Sequence, residues 1–120
     1  MKSHLIAVRD WELYDVEILR VDNDVQVDKR ILEELFVEQH MDFAFHFDED
    51  NTGYMTVYNP TKYHYRYAIS ADLLNFTGEF GAIFLNLNTT PTSLSFDMYA
   101  GVLYGEQNVG VMGNVRFKPM

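Results

Sequence analysis

From residue 41 almost to the end of this 120-residue chain, apolar and polar residues alternate with a period of two. Successive side chains of a strand point to opposite faces, so this pattern predicts a succession of half-buried antiparallel strands. Met41 to Phe47 sets Phe43, Phe45 and Phe47 against Asp42, Ala44 and His46. Lys62 to Ile69 sets Tyr63, Tyr65 and Tyr67 against Lys62, His64 and Arg66. Residues 54–58, 80–87, 94–104 and 109–117 read as further strands, separated by segments rich in Asp, Asn, Thr, Pro and Gly. Residues 71–77 read as a connection or a short helical turn.

The first forty residues are less regular. Residues 4–9 read as a strand; residues 13–21 suit a helix or a strand, with the β-branched Val16 and Ile18 favouring the strand. One segment carries a helical signature: Asp28 as N-cap, then Ile31, Leu32, Leu35 and Phe36 on one stripe, giving a helix over 29–40. The expected fold is therefore α+β. It is a single domain built on an antiparallel meander or curved sheet of about seven to eight strands, with one amphipathic helix packed on it.

Hairpin arithmetic predicts a register for the middle strands. A six-residue loop at 48–53 sets Phe47 opposite Tyr54 and Phe45 opposite Thr56, and the next turn sets Tyr54 opposite Tyr67. One face then gathers Phe43, Phe45, Phe47, Tyr54, Tyr58, Tyr63, Tyr65 and Tyr67. A core explains the phenylalanines. Tyrosines suit places where the ring is covered and the hydroxyl stays wet, so they also point to an interface or a ligand cup.

Charge narrows the function. Residues 1–60 hold 14 acidic and 5 basic residues, whereas residues 61–120 hold 4 of each, so the first half carries the whole net charge of −9. Such a field opposes direct binding of nucleic acid or anionic membrane and favours encounter with a basic protein. Glu33, Glu34 and Glu38 on the helix, and Asp48 and Asp50 in the first hairpin loop, are the acidic candidates for that contact. Tyr54, Tyr58, Tyr63, Tyr65 and Tyr67 are the aromatic ones.

Catalytic signatures are sparse. The chain has no cysteine, and no nucleophile elbow, Walker loop, dinucleotide fingerprint or histidine pair at zinc spacing. Asp48-Glu49-Asp50-Asn51-Thr52-Gly53 resembles the opening of an EF-hand calcium loop, but Asn59 stands where the bidentate Glu belongs and strands flank the loop. His46, with Asp42 and Asp48 on its side of the strand and His64 two strands away, is the candidate for acid–base chemistry. No metal or cofactor is expected. The four apolar residues before Arg9 are too few for a signal-peptide core, which implies an intracellular protein.

In size, acidity and lack of catalytic signature the chain resembles small inhibitor, immunity and phage-encoded counter-defence proteins as a type. That resemblance implies a non-enzymatic protein that binds a basic partner, including one whose nucleic-acid-binding surface it masks. Two other readings stand beside it. One is a ligand-binding cup or small enzyme with His46, His64 and Tyr65 in its pocket. The other is an assembly subunit that oligomerises through sheet edges.

Overall fold

The computed structural model describes residues 2–57 and 60–120 and shows an eight-stranded antiparallel barrel, closed between its first and last strands. In chain order these are β1 (Asp10–Val21), β2 (Ala44–Phe47), β3 (Thr52–Thr56), β4 (Tyr63–Ser70), β5 (Leu73–Gly78), β6 (Ala82–Thr90), β7 (Ser93–Tyr104) and β8 (Gln107–Pro119). Each pairs with its neighbours in sequence, and β1 closes the ring on β8 from Trp11↔Pro119 to Val21↔Val111. Helix α1 (Lys2–Val8) precedes β1, and helix α2 (Lys29–Gln39) joins β1 to β2.

An eight-stranded barrel has an interior just wide enough for its side chains to fill. This one is filled largely by rings: Trp11, Phe45, Phe47, Phe76, Phe96 and Phe117 are fully buried. Phe45 sits among them, with ring centroids of Phe43, Phe76 and Phe117 at 5.1, 5.3 and 5.3 Å. Buried Leu5 of α1 joins this core at the end where β1 begins; its carbonyl accepts the Trp11 indole N–H at 3.3 Å. At the other end β1, β7 and β8 run on beyond the barrel, and α2 packs on β1 and β7 with Leu32 and Phe36 buried.

The capping of α2 follows the sequence closely. Asp28 accepts the Arg30 N–H at 2.8 Å, and His40 ends the helix. The apolar stripe is narrower than expected, because Ile31 is exposed and Leu35 only partly buried. Two polar side chains of α2 reach the open edges of the strands beneath it. Glu33 Oε2 accepts the Ile18 N–H on β1 at 2.7 Å. The Gln39 amide accepts the Leu103 N–H on β7 at 2.8 Å and donates to its carbonyl at 2.7 Å.

Three expectations are corrected. Residues 4–9 lie mostly in α1, not in a strand; a short apolar run does not reveal its period, and burial of Leu5 against the core decides it. Residues 73–78 form β5, with Leu74 and Phe76 inward; its turn from β4 uses Ala71 at φ 54°, without the Asn-Gly that would have announced it. The register of β2 with β3 differs by one residue: Phe47 faces Gly53, Phe45 faces Met55 and His46 faces Tyr54; that of β3 with β4 differs by three, so Tyr54 faces His64 and not Tyr67. A one-residue slip reverses the faces of a strand, so Tyr54 and Thr56 point outward and Met55 inward.

Gly53 explains the slip. A Cβ on it would lie 1.9 Å from the His46 carbonyl oxygen and 2.9 Å from the Tyr65 ring. Tyr65, opposite Gly53 on β4, crosses this space and donates its hydroxyl to the His46 carbonyl at 2.6 Å. Tyr67 donates to the Asp48 carbonyl at 2.8 Å. Tyr65 and Tyr67, two of the five tyrosines expected at an interface or cup, are thus core residues with satisfied hydroxyls. Burial pushes the Tyr65 hydroxyl pKa well above the phenol range. Burial, and then the Asp48 and Asp50 charges, push that of Tyr67 up to about 12.

Candidate functional site

With the interior lined by packed rings, the outer surface is where chemistry can be displayed. The slipped register builds a row across four strands there: Asp10 lies directly opposite His46, His46 opposite Tyr54, and Tyr54 opposite His64. His46 Nδ1 meets Asp10 Oδ1 at 2.7 Å and Nε2 meets Asp48 Oδ1 at 3.0 Å. The Tyr54 ring stacks on the imidazole at 4.7 Å and 11°. Lys62 Nζ lies 4.4 Å from the Tyr54 centroid, and His64 meets that ring edge-on at 6.0 Å.

Partial burial of His46 lowers its pKa, but hydrogen bonds to Asp10 and Asp48, followed by their charges, outweigh it and raise the value above 6.5. With a carboxylate at each nitrogen, the imidazolium donates to both. This arrangement ties β1, β2 and the loop after β2 together, and it leaves no ring nitrogen free to take a proton or ligate a metal. Asp10, not Asp42, is the partner; Asp42 instead offers its carbonyl to Thr56. Asp10 was not predictable, because it meets His46 only through the pairing of β1 with β2, which are separated by α2. Among the described residues no group of three or more His, Asp or Glu is placed to hold a metal ion.

The sign of the linkage is fixed by the raised pKa. The stabilisation is fully present below the unfolded value of about 6.5 and is lost as pH rises through the higher folded value. Urea midpoints should therefore fall over that window, and His46→Gln should flatten the fall. An unchanged slope in the variant would mean that other groups carry it.

Beside this row a groove of about 620 Å³ runs over β3, β4 and β5, with Tyr54, His64, Arg66, Thr77 and Glu79 among its lining. Tyr65 contributes from beneath, since its ring turns inward. His64 is fixed in it by a reciprocal contact, its N–H donating to Glu79 Oε1 and its carbonyl accepting the Glu79 N–H, both at 2.9 Å. His64 and Tyr65 thus share a groove, while His46 stands at its margin, engaged by its two carboxylates.

The acidic residues divide into two places. Glu33, Glu34 and Glu38 line a second groove of about 470 Å³ between α2 and β1, together with Asp15, Arg30 and Val37. Asp15 and the nearby Glu17 hold Arg116 at 3.3 and 2.8 Å. Asp48 and Asp50 instead occupy the loop between β2 and β3, where Asp48 binds His46 and Asp50 accepts the Thr52 N–H. Of the tyrosines, Tyr54 lies on the outer row, Tyr63 is exposed at the start of β4, Tyr65 and Tyr67 are buried, and Tyr58 lies outside the described residues. Asp15 escaped the sequence reading because only the return of α2 along β1 makes it a wall of the groove.

Comparison of the chain with protein-family models, with curated proteins and with solved structures gives no significant match.

Proposed function

We propose that this chain is a small acidic binding protein of the inhibitor or immunity type. In this reading it acts without catalysis and engages a basic surface, such as one that otherwise contacts nucleic acid. The observation that carries the reading is the groove between α2 and β1, where four carboxylates, Asp15, Glu33, Glu34 and Glu38, stand against Arg30 in the lining and Arg116, which pairs with Asp15. Two further features support it. The barrel interior is occupied by its own aromatic residues, which disfavours the ligand cup. His46 has both nitrogens engaged, which disfavours a catalytic base.

A heptalysine peptide serves as the probe. Its affinity should fall steeply between low and physiological salt, with chemical-shift changes centred on α2 and β1. Glu34→Lys with Glu38→Lys, both exposed, should weaken binding at least tenfold, chiefly through the association rate. Asp48→Lys with Asp50→Lys should change it less than twofold. Equal losses from the two pairs would show a diffuse charge effect and overturn the assignment to this groove.

A further inference from the structure

The β6–β7 pairing runs from Thr90↔Ser93 to Leu85↔Asp97, and β6 then turns away to pair with β5 from Phe84↔Leu74 to Ala82↔Phe76. Beyond Asp97, β7 pairs with β8 alone. Its register with β8 is unbroken to the tip, and the Gln39 amide takes both peptide groups of Leu103 on the side away from β8. Alternation along a strand therefore turns the peptide groups of Tyr99 and Gly101 to that same edge. Among the described residues no backbone or side-chain partner meets them there.

This window lacks the usual protection of an edge. Met98 to Tyr104 contains no charge, no proline and no bulge, and Tyr99 and Leu103 are 54% and 56% exposed. On the inner side the partly buried Met98 and Ala100 border the core, and a groove of about 460 Å³ lined by Gln39, Gly101 and Leu103 opens on the other face. On the outer side Asp97 is bound by two neutral amides, from Asn86 and Asn114, at 2.6 and 2.9 Å, and among the described residues no cation pairs with it.

We infer that the edge of β7 at Tyr99 and Gly101 is a docking site for an extended segment of a partner protein, which adds as a short strand between β6 and α2. Main-chain bonds to two residues would supply the affinity, and alternate apolar side chains would seat against Met98 and Ala100. Asp97 and the net charge of −9 select basic residues at the outward positions. A flexible segment fits better than the intact edge of a second copy. The window is bounded by β6 and α2, and in an antiparallel pair of copies each α2 would be brought against the β6 of the other. The basic preference rests on the function proposed above; the strand addition does not.

The test uses a Lys-Val-Lys-Val-Lys-Val-Lys peptide and the same peptide N-methylated at alternate residues. The plain peptide should slow hydrogen exchange at the Tyr99 and Gly101 amides at least tenfold, and the methylated one should not. Gly101→Pro removes the edge-facing N–H, whereas Gly101→Ala adds a Cβ and keeps it; either Cβ must displace the Asn108 amide end. Binding should be lost tenfold or more in the proline variant relative to the alanine variant, with both folded by circular dichroism. Protection of α2 and β1 without protection of Tyr99 and Gly101 would overturn this inference and leave the acidic groove standing. Protection of those two amides that Glu34→Lys with Glu38→Lys leaves unchanged would do the reverse. A concentration-dependent dimer that Gly101→Pro dissociates would assign the edge to a second copy and overturn the inference.

Discussion

Gly53→Ala should destabilise the protein by about 4 kcal/mol or more, and Gly53→Val should leave no folded protein at room temperature. The added Cβ would stand 1.9 Å from a backbone oxygen, that of His46, which no rotamer change can move. Relief requires β2 and β3 to separate and Tyr65 to give up the space as well, which takes its hydroxyl from the His46 carbonyl. Gly81→Ala is the control. Its Cβ would have nothing nearer than the Phe76 carbonyl at 3.9 Å, and its stability should stay within about 0.5 kcal/mol of the parent. A loss below about 1 kcal/mol at Gly53, measured by urea unfolding, would show that the β2–β3 spacing is softer than the geometry requires.

Phe45→Ala comes next in size, at about 3–5 kcal/mol. The ring touches elements from every side of the barrel, through Phe43, Phe47, Phe76, Phe96 and Phe117, so its removal leaves a hole that no single strand can close. Such a cavity is dry and apolar, and a small aromatic such as benzene should bind to it and restore part of the loss. Ile31→Ala on the exposed side of α2 should cost no more than about 0.5 kcal/mol. Similar costs at the two positions would mean that the core is not where these contacts place it.

Much of this architecture was legible in the chain itself. The period of two exposed most of the strands, and Asp28 with the stripe at Leu32 and Phe36 exposed α2, because both signals are local. Closure of the barrel was not legible, since nothing local in β1 or β8 states that they pair. The aromatic face was half legible. Phe43, Phe45 and Phe47 declared the core, but a loop miscounted by one residue put Tyr54 inside, and only the collision at Gly53 corrects it. The candidate surfaces failed to show for a related reason. Asp15 faces α2 and Asp10 faces His46 only after long-range pairing, whereas the carboxylates of α2 could be grouped from helical spacing alone.

The seam between β1 and β8 has a consequence for synthesis. It joins Trp11 to Pro119, so the ring cannot close until the residues of β8 have left the ribosome. Before then β1 lacks its longest partner, and Phe45 and Phe96 lack the Phe117 ring that packs on both. A nascent chain stalled before Gln107 is therefore a sheet with unpaired borders and uncovered aromatic rings, the kind of species that chaperones shield and proteases clear.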